Sequence, residues 1–516
     1  METVAVHSPL HLHLTHLFLF LLLLLLPLLL RVLLLFLRRQ RTAASSTRLP
    51  LPPSPSGIPI LGNLHQLGSL PHRTLRAMAA RHGPIMLIQL GQVPALVVSS
   101  VDMAREVLKE QDHIFASRPP LKVPDLLFRD GGDVAFAPYG NYWRQVKKVS
   151  LLHLLSAKMV RSFGTVRREE VACLTDEISQ ACSSGPVDVT GALKSLTNHI
   201  ISRVTLGSSS KREAWGRQIV DVLGEASMLA GAFHTGDYFP SLPWLSRLSG
   251  LEERVKRVFD VVDPILDDII ETHRRRSRED ERETDFVDIL LSLQEDPEMT
   301  SFISDGTIKG IVTDMFAAGT DSTHIVIEWA MAELIRNPET MKKLQDEVRS
   351  VAGSKQTLEE EDLVDGTDYL RAVTKESMRL HPPGTLLVPR ELMEETTIAG
   401  YRIPKGARTF VNVWAIGRDP SIWEAPDDFR PERFLGSSVD YRGQHFELAP
   451  FGAGRRMCPG IGFSVTIIEL ALANLMLQFD WKLPDGTKEE DMDMIEAFGI
   501  TTRIKSGLRL VATPRF

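Results

Sequence analysis

The sequence predicts a mainly α-helical protein with small β-sheets at its edge, preceded by a single N-terminal transmembrane helix. Three features indicate this: a long apolar run near the N-terminus, extended helical patterns through the body, and short β-like runs grouped in two places. The 516 residues are 43% hydrophobic and 24% charged, which is typical of a folded globular protein. Disordered, collagen-like and coiled-coil architectures therefore fit poorly.

The segment Leu17–Leu37 consists almost entirely of leucine and phenylalanine and is interrupted by Pro27 and Arg31. This length is enough to cross a bilayer. A cleaved signal peptide is the alternative, but Glu2 and histidines stand where a basic segment would be expected. Three arginines within residues 38–41 follow the run and favour a cytosolic position for that flank. We therefore predict a membrane anchor over residues 1–41 and a body that faces the cytosol.

A proline-rich segment follows the anchor, and we predict a stiff hinge over residues 42–60, because proline fixes φ and disfavours helix. An ordinary linker is the alternative. Residues 61–516 show no repeat and no second linker, so they form one predicted domain. Its elements, in chain order, are short strands at Ile85–Leu90 and Ala95–Ser99, helices at Gly250–Arg276, Asp305–Arg336 and Asn337–Gly353, a β-rich patch at Thr385–Thr409 and an apolar helix at Ile461–Phe479.

Charge and cysteine content exclude several classes of function. The chain carries 59 basic and 66 acidic residues, a net charge of −7, so it lacks the basic character of a nucleic-acid-binding protein. Its three cysteines cannot build a disulfide framework or a four-thiolate zinc site. No second apolar run approaches 18 residues, which argues against a multi-span transporter.

Cys458 is the first candidate for chemistry, because it stands in a glycine-rich segment, Pro450–Phe463, just before the predicted apolar helix. Glycines let backbone amides approach the sulfur. The helix N-terminus, together with Arg455 and Arg456, favours a thiolate, and a thiolate can bind iron as an axial ligand. An inert buried thiol is the alternative. A nucleophilic cysteine would need a partner histidine, and the sequence places none nearby.

The pattern Phe451-x-x-Gly454-x-Arg456-x-Cys458-x-Gly460 resembles the haem-binding loop of the cytochrome P450 superfamily. Three further motifs occur in the family's order: Ala317–Thr323, Lys375–Arg379 and Phe429–Phe434. The resemblance covers essentially the whole chain and is closest to the plant endoplasmic-reticulum type. It implies the cytochrome P450 fold, a haem b bound through Phe451, Gly454 and the Cys458 thiolate, and monooxygenase activity.

The resemblance also implies a structural network. Glu376 and Arg379 are three residues apart and share a helix face, where such pairs usually decorate the surface. If Arg433 of the Phe429–Phe434 motif joins them, the three charges tie the helix to the loop that presents Cys458.

The Ala317–Thr323 motif implies a helix that crosses the oxygen side of the haem. Gly319 costs about 1 kcal/mol of helix propensity, which either close helix packing or a groove for dioxygen would explain. Asp321 and Ser322 supply a carboxylate and a hydroxyl that can relay protons during oxygen activation. The family usually has threonine at the position of Ser322; here Thr323 follows it.

Haem propionates require cations, which the family places at positions matching Arg456 and Arg390 and on a Trp-x-x-x-Arg helix. Trp143 matches that helix, but Lys147 replaces the arginine and lacks its planar fork. A plain surface role is the alternative for each arginine. The resemblance further places substrate-pocket walls in the segment Pro124–Ala135 and at five apolar residues: Phe316, Ala317, Leu386, Val388 and Phe498.

The sequence contains no dinucleotide fingerprint and no flavin-like or iron–sulfur segment, so we expect this chain to bind neither flavin nor nicotinamide. The resemblance implies NADPH–cytochrome P450 reductase as electron donor, with cytochrome b5 as a further candidate. A basic patch of Arg144, Lys147, Lys148 and Arg455 could receive the reductase. The expected partners are thus O2, a small hydrophobic substrate and membrane lipid, without nucleic acid.

The leading hypothesis is a monooxygenase of the endoplasmic-reticulum membrane that oxidises a small hydrophobic plant metabolite. An indole or benzoxazinoid precursor is the first guess for the substrate, and terpenoids and phenolics are equally open. Two alternatives remain: a haem-thiolate isomerase or dehydratase that needs no external electrons, and a non-catalytic membrane haem sensor.

Overall fold

The computed structural model describes residues 49–128, 132–208, 210–231, 234–242, 244, 250–275, 284–484 and 486–516. The predicted anchor over residues 1–41, and residues 42–48 of the predicted hinge, lie outside these ranges. The chain divides into a large compact unit, residues 51–399 with 403–516, and a small one, residues 1–50 with 400–402. The features discussed below belong to the large unit.

Helices dominate the large unit. Within the described residues they are α1 (Pro71–His82), α2 (Val101–Arg105), α3 (Lys122–Leu127), α4 (Asn141–Val149), α5 (Ala157–Ser162), α6 (Gly164–Ala181), α7 (Val189–Leu206), α8 (Ser210–Gly231), α9 (Thr235–Tyr238), α10 (Leu251–Arg274), α11 (Phe286–Gln294), α12 (Asp305–Arg336), α13 (Pro338–Ala352), α14 (Asp368–Leu380), α15 (Val413–Ile416) and α16 (Ile461–Gln478).

The strands are short: β1 (Ile85–Leu90), β2 (Val93–Val98), β3 (Val187–Asp188), β4 (Arg390–Glu391), β5 (Thr396–Ile398), β6 (Tyr401–Ile403), β7 (Arg408–Val411), β8 (Phe479–Lys482), β9 (Glu496–Ala497), β10 (Arg503–Ile504) and β11 (Arg509–Pro514). One sheet has the order β1-β2-β7-β4, a second the order β3-β11-β8, and β9 pairs with β10. Only β2 and β7 run parallel within these sheets; their register pairs Ala95 with Arg408 and Val98 with Val411.

The centre of the fold is α12, which packs against α7, α8, α14 and α16. Ser304 caps its N-terminus by accepting a hydrogen bond from the Thr307 amide. Its C-terminal half is buried without a break from Thr323 to Ile335, as expected of a helix that is surrounded on all sides. Among the described helices, α16 is long and apolar enough to cross a membrane, but 67% of it is buried inside the protein. It is a core helix.

The predicted positions of the main elements are confirmed. The predicted helix Asp305–Arg336 and strand Ile85–Leu90 have the predicted ends, and α10, α13 and α16 begin or end within two residues of prediction. The β-rich patch Thr385–Thr409 contains β4, β5, β6 and the start of β7. The charged segment Arg274–Arg282, for which the sequence predicts a solvated surface loop, lies mostly outside the described residues.

Candidate active site

Cys458 lies in a tight loop immediately before α16, whose N-cap is Gly460. The Cys458 amide donates to the Phe451 carbonyl at 3.0 Å, which closes the loop. Gly454 has φ +70°, and a Cβ at this position would lie 2.2 Å from the Leu108 carbonyl oxygen. Only glycine satisfies both constraints, so the backbone conformation that presents Cys458 depends on it.

Burial is the main influence on the Cys458 thiol and raises its pKa above the ordinary value, while the Gly460 amide and the Lys147 charge lower it. The sequence predicted a lowered value from Arg455 and Arg456. The structure turns both guanidinium groups toward other partners, so desolvation dominates. A bound metal cation would reverse this balance, because a coordinated thiol is deprotonated.

Arg456 is buried and donates to three main-chain carbonyls, Ala116 at 2.6 Å, Val134 at 3.3 Å and Ala137 at 2.6 Å. Its guanidinium carbon stacks 3.9 Å above the ring of Trp143. The Trp143 indole itself donates to the Val134 carbonyl at 2.9 Å. The predicted residues Trp143 and Arg456 are thus neighbours that hold one loop, residues 133–137.

Arg390 and Lys147 hold the cysteine loop from two further directions. Arg390 donates to the buried Asp112 carboxylate at 2.8 Å, and the Arg455 side chain donates to the same carboxylate at 3.0 Å. The Lys147 ammonium donates to the carbonyls of Arg455 and Met457. Lys147 therefore satisfies loop carbonyls that a short helix-like turn leaves without amide partners.

Four cations converge behind the cysteine loop: Arg118, Lys147, Arg390 and Arg456. Burial, and then the charge of Arg456, lowers the pKa of Arg118 well below its ordinary value. The same two causes lower the pKa of Lys147 to about 8. Burial and Arg390 lower the pKa of Arg456 to about 9. Each shift shows that positive charge is crowded here in a poorly hydrated space.

Only two buried carboxylates in the described part of the chain, Asp112 and Asp133, lie among these four cations. Buried charges are stable when they are paired, so the cluster needs additional anions. The two propionates of a haem would supply that charge, and Cys458 would supply a thiolate ligand for its iron. The donor set therefore fits a haem, which Cys458 would hold at the metal and this cluster would hold through its negative charge.

Sequence reasoning missed Arg118. It donates to the carbonyls of Ala135, Val388 and Pro389 at 2.7–2.9 Å. A lone arginine before two prolines carries no local pattern that relates it to Cys458. Only the tertiary structure brings it into the cluster.

Sequence reasoning also missed two buried carboxyl groups that hold the loop of residues 133–137. Asp314 on α12 accepts from the Val134 amide at 2.6 Å, and Asp133 accepts from the Ala137 amide at 3.0 Å. Burial, and then the nearby Asp133, raises the pKa of Asp314 well above its usual range. The loop amides thus bind carboxyl groups while its carbonyls bind the cation cluster.

Glu376 and Arg379 form a fully buried ion pair on α14 with two hydrogen bonds, at 2.6 and 2.8 Å. Arg433 adds a third bond to Glu376 at 3.0 Å. Arg379 also donates to the carbonyls of Gly417, Pro426 and Asp428. The three predicted side chains are therefore together, and the pair connects α14 to the irregular chain that leads to Cys458.

The motif Ala317–Thr323 lies in the middle of α12. A Cβ on Gly319 would lie 2.5 Å from Cδ1 of Ile201 on α7, so the missing side chain is needed for close helix packing. Ala318 is exposed in the middle of this mostly buried helix, and the Ser322 hydroxyl donates to its carbonyl at 2.8 Å. Thr323 differs from Ser322, because its buried hydroxyl bonds Ser464 of α16 at 3.1 Å.

Four of the five predicted pocket residues fall into two groups. Leu386 and Phe498 share one apolar cluster beside β1 and β2. Phe316, which is 1% exposed, and the partly buried Ala317 belong to the main core around α12. Val388 is partly buried. The structure thus brings Leu386 and Phe498 together, and places Phe316 and Ala317 on the central helix.

Comparison with known proteins shows which family of proteins this chain is similar to. The family model described as "Cytochrome P450" matches residues 52–508. A zebrafish cytochrome P450 solved with abiraterone is 25% identical in sequence and has a TM-score of 0.73, covering 87% of this chain and 100% of that chain. The helical architecture is therefore shared with a solved member of this family.

Curated plant proteins are more similar. Cytochrome P450 71A4 of Solanum melongena is 47% identical over 467 residues, which cover 89% of this chain and 92% of that protein. Strychnine-11-hydroxylase of Strychnos nux-vomica is 47% identical over 89% and 91% of the two chains. (+)-Menthofuran synthase of Mentha piperita is 45% identical over 90% and 93%.

Replacing Arg379 with lysine keeps the charge but removes the planar fork, so a single ammonium group cannot keep all the bonds that Arg379 makes to Glu376 and to three carbonyls. We expect Arg379→Lys to lower the free energy of unfolding by about 3 kcal/mol. Thermal unfolding and the haem-to-protein ratio of the purified protein measure this loss. Arg371→Lys on the same helix is the control, because Arg371 is partly exposed. Equal stability of the two variants would contradict the structural role of Arg379.

Proposed function

The chain belongs to the cytochrome P450 family and is a haem-thiolate monooxygenase, and we propose that it oxidises a small hydrophobic plant metabolite with electrons from NADPH–cytochrome P450 reductase. The observation that carries the proposal is the joint presence of two features in one fold. One is the Cys458 loop with its buried excess of cations. The other is the face of α12 on which the Ser322 hydroxyl donates to the carbonyl of the exposed residue Ala318.

The haem, when bound, supplies redox chemistry and activates dioxygen; the chain supplies position and protons. Ser322 is proposed to pass a proton through its hydroxyl, which the Ala318 carbonyl orients at 2.8 Å. Asp321, one residue earlier and partly buried, is the carboxylate of the proposed relay, through which protons would pass to the Ser322 hydroxyl. Gly319 contributes indirectly, because its contact with Ile201 lets α12 approach α7 closely.

The proposed substrate is apolar and compact. Leu386 and Phe498 supply an aliphatic and an aromatic wall, in keeping with ligand sites that are mostly hydrophobic. Two relatives, strychnine-11-hydroxylase and (+)-menthofuran synthase, are named for reactions of small metabolites, which supports the metabolite class. Within that class we retain an indole or benzoxazinoid precursor as the first candidate, with terpenoids and phenolics next.

The proposed reductase surface is an open depression of about 350 Å³ beside the cysteine loop. The predicted basic residues Arg144, Lys147, Lys148 and Arg455 all line it, together with the exposed side chains of Leu151 and Leu152. A basic rim around apolar contacts suits an acidic partner, because complementary charge raises the association rate. Cytochrome b5 is a second candidate for this surface.

The proposed location is the endoplasmic-reticulum membrane, with one N-terminal span and the catalytic unit in the cytosol. An exposed apolar surface supports contact with lipid directly after the anchor. Leu51, Ile58, Ile60 and Leu61 are 41–65% exposed, and exposed apolar side chains grouped within a short segment suit an interaction surface.

Turnover of a metabolite library in microsomes tests the reaction class. Microsomes that contain this chain and the reductase should form product only when NADPH and O2 are both present. Product that forms without NADPH would contradict the proposal and favour an isomerase or dehydratase.

Deleting residues 1–41 should release much of the protein from membranes and leave the haem content unchanged, because the anchor contributes no cofactor ligand. We expect residual binding to phospholipid vesicles through the apolar surface described above. Sedimentation with vesicles measures this binding, and the added change Ile60→Asp should weaken it. Val364→Asp is the matched control, since both side chains are 65% exposed. Equal effects of the two changes would contradict the lipid-contact surface.

Ser322→Ala should leave substrate binding nearly unchanged, because the apolar walls are untouched, yet lower product formed per NADPH by about 10-fold. The missing electrons should appear as hydrogen peroxide, measured beside the product. Thr323→Val is the matched control. Its hydroxyl bonds Ser464 and not the Ala318 carbonyl, so this change should keep coupling and lower stability by about 1 kcal/mol. Full coupling in Ser322→Ala would contradict the proton relay.

A further inference from the structure

The hairpin of β9 and β10 carries the pocket-wall residue Phe498 at its tip. Its strands pair Ala497 with Arg503 and Glu496 with Ile504. At the far end of the tip, the Thr502 amide donates to the Pro383 carbonyl at 2.8 Å. The chain around Phe498 is therefore short, and contacts at both of its ends determine where the aromatic ring lies.

Glu496, at the start of this hairpin, forms a buried ion pair with α1. Its Oε2 accepts from Arg73 Nε at 2.6 Å and from His72 Nε2 at 3.0 Å. Burial alone would raise the pKa of Glu496, but the hydrogen bonds from His72 and Arg73 outweigh it and lower the pKa to about 2. The carboxylate is thus ionised at neutral pH and holds two consecutive side chains of α1.

His72 connects the ion pair to the pocket wall. It is fully buried, and its ring stacks on Phe498 at 5.9 Å with an interplanar angle of 27°. The His72 ring also packs edge-to-face against Trp414, with 4.9 Å between the two ring centroids. The Asn412 side chain donates to the His72 carbonyl at 2.8 Å. His72 therefore has one position, and it touches both Glu496 and Phe498.

A second contact fixes the other side of the tip. A Cβ on Gly231, at the end of α8, would lie 2.3 Å from the carbonyl carbon of Gly499. The two backbones are in direct contact, so the residue that follows Phe498 cannot move toward α8. The tip is held by α1 on one side and by α8 on the other.

We propose that His72, Arg73 and Glu496 are positioning residues that determine the shape of the substrate pocket by fixing the ring of Phe498. This inference rests on the proposed function in one respect, namely that Phe498 lines the pocket. None of the three residues belongs to the cation cluster or the cysteine loop. Their effect should therefore appear in the binding of bulky apolar ligands and not in the binding of haem.

The test compares two iron ligands on the full-length holoprotein. Imidazole is too small to reach the pocket wall, whereas 4-phenylimidazole carries an apolar ring into the pocket, and spectral titration gives a Kd for each. We expect Glu496→Gln and Arg73→Gln to raise the Kd of 4-phenylimidazole about 3- to 10-fold. The Kd of imidazole and the haem content should change less than about 2-fold.

Arg76→Gln is the matched control. Arg76 lies on the same helix as Arg73, and both guanidinium groups lie over the Trp414 ring. The distance from the guanidinium carbon to the ring centroid is 5.5 Å for Arg76 and 5.0 Å for Arg73. Arg76 donates to the Arg418 carbonyl and not to Glu496. It should leave both Kd values unchanged. Arg73→Lys, which retains the charge, should restore most of the 4-phenylimidazole affinity. Arg73 is half exposed, so its variants should fold even if Glu496→Gln does not.

Equal weakening of the two ligands, or no weakening of either, in Arg73→Gln would overturn the proposal. These titrations need neither the natural substrate nor NADPH. Failure of the positioning role is therefore distinguishable from failure of the proposed monooxygenase reaction, which the microsomal turnover tests separately.

Discussion

The buried ion pair of Glu376 and Arg379 is the interaction on which the rest of the structure depends. The chain from Gly417 to Cys458 contains no long helix or strand, so its carbonyls need donors from outside regular structure. Arg379 reaches three of them, and Arg433 reaches the Glu424 carbonyl at 3.0 Å. A buried pair alone adds little net stability. This one matters because it organises a long irregular segment whose end is the cysteine loop.

Charge balance links the protein to its cofactor. The cations behind the cysteine loop are held apart by backbone carbonyls, which are neutral and only partly offset the charge. Their lowered pKa values express the free-energy cost of that crowding. Two propionates and an iron–thiolate bond would remove it, so haem binding would be coupled to the stability of this region. The loop of residues 133–137 shares these contacts and should be ordered by the same event.

The proposed residues for chemistry and for substrate shape are separated in the fold. Cys458 lies beside α16 and Ser322 lies on α12, and these two helices pack together in the core. The proposed pocket walls at Leu386 and Phe498 stand beside the β1–β2 sheet, and the chain at Phe498 contacts α1 and α8. Changes at Arg73 or Gly231 can therefore alter the pocket without touching the iron ligand.

The sequence alone determined the helical class, the positions of α10, α12, α13 and α16, and the identity of Cys458, because these depend on local pattern and spacing. It also singled out Glu376, Arg379 and Arg433 as partners. Only the tertiary structure decided that Gly319 packs on Ile201, that Lys147 binds the cysteine loop, and that Arg118 and Asp314 belong to the site. These contacts join residues far apart in the chain, and their energies depend on burial. No local pattern encodes burial of that kind, so distant partners become visible only in the folded chain.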